Sequence, residues 1–322
     1  MRTPPDDLAE ASLAMLLTEA WDLHGVDLEH APVGFGSHHW VATDPTGVRR
    51  FVTVDQVRDG RFERLLQALL AARTLHEDAG LGWVVGPLPA TDGSVLKPLG
   101  RGYAAAVYPY VDAQPFPDNA SPRDRELVID MVAALHAATP VVRRLLATAD
   151  LQLAGRAHLE RALLWLHEPW TGGPFGEPAR ALLAARADDV RVLLREHDRL
   201  ADVVRRAGSD WVVTHGEVKP DNVMVTAAGL VLVDWDTALL APAARDLWQV
   251  VSDDGCEPAR YADLTGREVT TAELAFYRLD WQLADIAEFV RWLGGPHLRT
   301  ADTEIAWTAL VANLDVSTKR AR

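Results

Sequence analysis

Between Trp211 and Asp236 the chain sets one acid, one amide and a second acid at spacings that suit phosphoryl transfer. The first acid and the amide belong to His215-Gly216-Glu217-Val218-Lys219-Pro220-Asp221-Asn222, and the second acid is Asp234 in Val233-Asp234-Trp235-Asp236. A carboxylate such as Glu217 can accept the proton of an attacking hydroxyl. An Asn and an Asp, here Asn222 and Asp234, can bind the Mg²⁺ that neutralises transferring phosphates. Hard oxygen ligands suit that ion. Taken singly, the same residues would make only a polar turn between strands, with His215 supporting loop backbone and Asp221-Asn222 forming the turn. A His-x-Glu start also opens zinc deaminases, but these need a later Cys-x-x-Cys. Cys256 is the single cysteine here, so that chemistry is excluded.

The elements that must position these residues are short and apolar. Trp211-Val212-Val213 approaches the loop, Val223-Met224-Val225 leaves it, and Leu230-Val231-Leu232-Val233 runs back to Asp234. β-Branched residues favour strands, and Ala227-Ala228-Gly229 supplies the turn. A hairpin of this form brings Glu217, Asn222 and Asp234 within reach of one point.

Upstream, Asp7 to His24 carries Leu8, Leu13, Leu16, Leu17 and Trp21 at helical spacing. Gly34, Gly36 and Ser37 then precede a strand, where backbone N–H groups could cover phosphates; Gly-x-Gly is also common in plain hairpins. Trp40 to Thr43 and Val48 to Asp55 predict a hairpin around Asp44-Pro45-Thr46-Gly47. Phe62 to Ala79 predicts a helix. Short strands are expected at Trp83–Val85, Ser94–Leu96 and Tyr103–Tyr108. Tyr108-Pro109-Tyr110 then forms a hinge whose backbone could pair with a nucleobase, or a plain edge strand ending at Pro109. From Pro122 onward, helices are expected at Leu127–Ala138, Ala154–Leu166, Arg180–Val204, Thr271–Leu293 and Ala301–Leu314. His136, His158 and His167 read as structural or surface residues. Asp285 and Glu288, three apart, share a face of the helix that also carries Asp280. That face could hold ammonium groups or simply meet solvent.

A net charge of −14 over 322 residues argues against nucleic acid and anionic membranes as partners, and is compatible with a cationic small substrate. One cysteine and an N-terminus with no apolar core point to the cytoplasm. No apolar run is long enough to span a bilayer. The only lysines are Lys97, Lys219 and Lys319.

The eight-residue loop resembles the catalytic loop of protein kinases and the H-G-D-x-H-x-x-N loop of the aminoglycoside phosphotransferase family. Asp234-Trp235 resembles that family's metal-binding I-D-W segment. Leu240-Ala241-Pro242, Arg245-Asp246-Leu247, Tyr277-Arg278 and Asp285-Ile286-Ala287 are similar to segments of spectinomycin phosphotransferases, so the likeness covers nearly the whole chain. It implies an α+β, two-lobed protein-kinase-like fold: a β-rich, nucleotide-binding N-lobe over 1–109 and a mainly helical C-lobe over 110–322. It implies transfer of a phosphoryl group from ATP or GTP, with Mg²⁺, to a hydroxyl of a small cationic substrate. Lys219 matches the kinase loop lysine that reaches the γ-phosphate. Two positions depart from the family. Glu217 stands where the family has Asp, and Thr53 in Phe51-Val52-Thr53 stands where it has the phosphate-holding lysine. An active kinase with a modified site, a ligand-binding pseudokinase, and a kinase of an amino sugar or amino alcohol metabolite therefore all stay open.

Overall fold

The structure, a computed structural model, describes residues 1–57, 60–100, 102–117, 119–208, 210–251 and 256–315. Lys319 lies outside the described residues. The chain forms two compact units, Met1–Thr148 with Trp211–Glu268, and Ala149–Asp210 with Val269–Arg322.

In chain order the first unit opens with α1 (Glu10–Trp21), β1 (Asp27–His30), β2 (His38–Thr43), β3 (Arg49–Gln56) and α2 (Arg61–Glu77). β4 (Lys97–Leu99), β5 (Tyr103–Pro109), β6 (Gln114–Pro115), α3 (Pro122–Ala137) and α4 (Thr139–Val142) follow. The chain then supplies α5 (Arg156–Leu164), α6 (Gly176–Ala185) and α7 (Ala187–Ala207) to the second unit. It returns through β7 (Val212–Thr214), β8 (Val223–Thr226), β9 (Gly229–Leu232), β10 (Leu239–Ala241), α8 (Ala244–Leu247) and α9 (Cys256–Thr265). α10 (Thr271–Gly294) and α11 (Ala301–Leu314) complete the second unit.

The N-terminal sheet is antiparallel, in the order β1-β2-β3-β5-β4. Its two faces follow from the period of two along a strand. On β3 and β5, Val52, Val54, Ala105 and Val107 pack with Leu13, Leu17 and Trp21 of α1. Ala104, Ala106, Tyr108 and Phe51 pack with Leu65 and Leu69 of α2. Thr53 and Asp55 therefore share the α2 side of β3.

Helices and strands mostly stand where periodicity puts them, and the differences have local causes. Trp83–Val85 makes a single parallel bridge from Val84 to Leu232 instead of a strand. The strand expected at Ser94–Leu96 forms at Lys97–Leu99, because the Asp92 carboxylate ties down the Ser94 backbone and hydroxyl in a turn. The helix expected over Arg180–Val204 is two helices. Arg186 leaves the helical region (φ −116°, ψ 9°), and Asp188 and Asp189 suit the new helix N-terminus that follows. The boundary expected at 109/110 falls inside the first unit, since β6 pairs with β8 and binds the segment beyond the hinge to the loop hairpin.

The second unit is built on α10, against which α5, α6, α7 and α11 all pack. α10 buries Phe276, Leu279, Leu283, Ile286, Phe289, Val290 and Leu293.

Candidate active site

The loop His215–Asn222 is held from beneath by one buried acid. Asp246, in α8, accepts hydrogen bonds from the backbone N–H of His215 (3.0 Å) and Gly216 (2.5 Å). His136 of α3 contacts the same carboxylate at 3.0 Å and the Tyr261 hydroxyl of α9 at 2.6 Å. Burial alone would raise the Asp246 carboxyl; its hydrogen bond from His136 and the nearby Arg245 guanidinium help reverse the sign and hold it below the ordinary value. His136 is thus a structural residue. Gly216 has φ +95°, and a Cβ there would meet the Arg245 guanidinium at 2.3 Å, so no larger residue fits without displacing that side chain.

His215 is fully buried and neutral. Its Nε2–H donates to the Val233 carbonyl (2.9 Å), which leaves Nδ1 to accept from the Glu217 N–H (3.2 Å). Burial lowers its pKa, against a weaker upward pull from Asp246. The ring also packs edge-on against Trp235 at 4.7 Å. It therefore fixes the backbone on both sides of the site.

Glu217, Asn222, Lys219 and Asp234 do come together. Lys219 Nζ lies 2.7 Å from the Glu217 carboxylate. Burial favours its neutral form, but Glu217, Asp234 and Asp221 outweigh that and hold the ammonium charged. The Asn222 side-chain amide donates to the Glu217 carbonyl (3.0 Å), which leaves its oxygen as the available acceptor. Asp234 adopts the left-handed conformation (φ +67°), an unfavourable one for a non-glycine residue. Its surface is open to solvent, yet the protein packed around it, then the Glu217 and Asp55 carboxylates, push its carboxyl up to about 6. Asp236 is raised further by burial, Asp234 and Asp55.

Arg61 and Asp55 belong to the same constellation, and sequence reasoning missed both. Arg61, the first residue of α2, places Nη2 3.2 Å from Asp55 and 3.1 Å from Asp236. Asp55 is 3% exposed and also accepts from the Ser37 hydroxyl (2.6 Å). The available signal was Asp55 itself, an acid two residues beyond Thr53 and directly after the apolar Val54. Four carboxyl groups (Asp55, Glu217, Asp234, Asp236) thus crowd round two cations (Lys219, Arg61), an excess of two acids whose mutual repulsion helps raise Asp234 and Asp236. A divalent cation held by Asp234 and the Asn222 oxygen fits that excess. Among the described residues no group of three or more His, Cys, Asp or Glu could hold a metal. A Mg²⁺ here would complete its shell with phosphate oxygens and water, its usual habit.

Gly34 (φ +66°) and Gly36 (φ +97°) form the tight loop before β2. The Thr53 side chain hydrogen-bonds Tyr108, whose ring is buried; burial and the nearby Asp55 and Asp234 raise that phenol well above its ordinary value. The Arg49 guanidinium lies 3.8 Å over the Tyr110 ring, and Lys97 pairs with Asp92. In α10, Asp280 bonds His197 (2.8 Å), Asp285 accepts from the neutral Asn313 amide (3.2 Å), and Glu288 pairs with Arg291.

A sequence model of the phosphotransferase enzyme family matches residues 27–279, and the chain belongs to that family. Protein StrN of Streptomyces griseus is 27% identical over 275 residues, covering 82% of this chain and 80% of StrN. Spectinomycin phosphotransferase in complex with ADP and spectinomycin superposes with a TM-score of 0.72 at 15% identity, over 96% of this chain and 98% of that one. Amicoumacin kinase with AMP-PNP and Ca²⁺ gives 0.59 at 13% identity, over 96% and 94%. The fold is the two-lobed kinase-like one, and the family is one of phosphotransferase enzymes. Among the described residues, no helix is long and apolar enough to cross a membrane.

Proposed function

We propose that the protein transfers the γ-phosphoryl group of ATP or GTP to a hydroxyl of a cationic aminocyclitol or aminoglycoside-like molecule. The observation that carries this reading is the assembly of Glu217, Lys219, Asn222 and Asp234 on one loop and hairpin, with an excess of two carboxylates. Glu217 accepts the proton as the substrate oxygen bonds phosphorus and the bridging oxygen departs with the nucleoside diphosphate. Lys219 offsets charge on the transferring group. Asn222 and Asp234 would hold Mg²⁺, which neutralises phosphate charge. Gly34, Gly36 and Ser37 would cover the phosphates, Thr53 would donate at most a hydrogen bond, and the Tyr108–Tyr110 backbone would receive the base.

Asp285 would take an ammonium group of the substrate. Asp280 and Glu288, engaged by His197 and Arg291, would add to the negative field. The relatives support the substrate class, since one of them is bound to spectinomycin. The net charge of −14 is compatible with a cationic substrate, and the single cysteine fits a reducing, cytoplasmic setting. A role in antibiotic resistance or self-protection follows if such a compound is the substrate. The test is incubation with Mg·ATP or Mg·GTP and a panel of aminocyclitols, aminoglycosides, amino sugars and amino alcohols, read by mass spectrometry. A gain of one phosphoryl group on an aminocyclitol or aminoglycoside is expected. Phosphorylation of amino alcohols alone would overturn the substrate class, and no product from any member would overturn the kinase reading.

A further inference from the structure

The family strand that should carry a phosphate-holding lysine carries Thr53, and no lysine approaches from elsewhere on that strand. In protein kinases this lysine on the strand pairs with a glutamate on the neighbouring helix. Here the strand carries an acid, Asp55, and the helix carries a cation, Arg61, 3.2 Å apart. Asp55 lies two residues past Thr53 on the same face of β3, about 6.6 Å along the strand. We propose that Asp55 and Arg61 are that ion pair with its charges exchanged between strand and helix, and that the Arg61 guanidinium binds the α- and β-phosphates of the nucleotide. The inference rests on the kinase reading above.

Several placements support it. Arg61 bridges Asp55 to Asp236, two residues beyond the metal-binding candidate Asp234, so its charge stands between the sheet and the metal segment. Its side chain remains 44% exposed, so the guanidinium keeps N–H groups available to an entering ligand. Arg presents five donors in a planar fork that matches phosphate bidentately, which lets it serve two acids and a phosphate at once. Asp55 also accepts from Ser37, so one buried acid orients both the glycine loop and the guanidinium. Gly60, with φ +77°, turns the chain so that α2 starts on the residue that must reach back to β3. Thr53 is engaged by Tyr108 and leaves the space beside Asp55 to the guanidinium.

The test is calorimetric titration of the full chain with Mg·ADP and, separately, adenosine, which lacks the phosphates. Arg61→Ala should weaken Mg·ADP by about tenfold or more, the scale of a lost charge-assisted contact, and leave adenosine unchanged. Adding Thr53→Lys to Arg61→Ala should restore Mg·ADP binding, because it returns the cation to the strand. Unchanged Mg·ADP affinity in Arg61→Ala overturns the proposal. So does an equal loss for adenosine, which marks a structural role, and so does failure of Thr53→Lys to restore binding in the folded double variant. If Arg61→Ala does not fold, Arg61→Gln against Arg61→Lys decides: Gln should lose Mg·ADP while Lys keeps most of it, and equal affinities overturn the exchange. A native protein that binds neither ligand contradicts the kinase reading itself.

Discussion

At the scale of single residues, the site depends on backbone fixed by groups that never touch a substrate. Gly216 shows this most sharply, because its positive φ strains any other residue and the guanidinium behind it would have to move. Gly216→Ala should destabilise the protein by roughly 1–3 kcal/mol and displace Arg245 from Thr214 and Thr237. Chemical denaturation measures the first effect. Loss of nucleotide-dependent stabilisation would report the second through the loop. His215 illustrates what was legible in the sequence: its support of the loop backbone is seen in the bonds to Val233 and Glu217. Asp55 and Arg61 were not legible as a pair. Their meeting depends on where α2 begins and on the face of β3 turned toward it, and neither is fixed by spacing along the chain.

At the scale of elements, long periodic segments were readable and short ones were not. The hairpin Val223–Leu232 and the helix Ala301–Leu314 could be read directly, since β-branched runs and a helical period survive in them. β7 could be read only as a strand or an approach segment. Its partner β10 is three residues long, too short for alternation to show, and pairs through Leu239↔Thr214. α9 went unread, although Tyr261 on it completes the support of Asp246 through His136. α1 packs its Leu13 and Leu17 against the sheet that carries Thr53 and Asp55. Leu17 is fully buried, so Leu17→Ala should cost about 2–5 kcal/mol, transfer and cavity terms together. Thermal unfolding checks this. A loss well under 1 kcal/mol would mean that α1 does not support the sheet.

At the scale of the whole molecule, buried histidines set a pH dependence. His39 is buried against Phe51 at 5.1 Å, with Nδ1 lacking a hydrogen-bond partner. Burial first, then neighbouring positive charges, lowers its pKa from 6.5 to about 3. The unfolded chain therefore binds the proton more readily than the folded one between those values. Stability from this residue is complete above about pH 6.5 and falls as the pH drops toward 3. His215 acts in the same direction. Asp234 and Asp236, whose pKa values are raised, act in the opposite direction, so the native profile sums the two effects. A comparison with His39→Phe isolates one residue. The variant should lose less stability than the native protein between pH 6.5 and 4, read as Tm against pH; parallel profiles would remove His39 from the account.

In the proposed reaction Glu217, in the place of the family's Asp, works as the base of a functioning phosphoryl-transfer loop. Glu217 is held by Lys219 at its carboxylate and by His215 at its N–H, which restricts where the carboxylate can lie. Base catalysis contributes ~10²–10⁴-fold, and the low end fits chemistry in which this residue mainly orients the hydroxyl. The deciding measurement is kcat together with the Mg·ATP dissociation constant for native protein and Glu217→Gln, on whichever panel member is phosphorylated. A fall in kcat of about a hundredfold is expected, with nucleotide affinity nearly unchanged. Undiminished kcat in Glu217→Gln would contradict it.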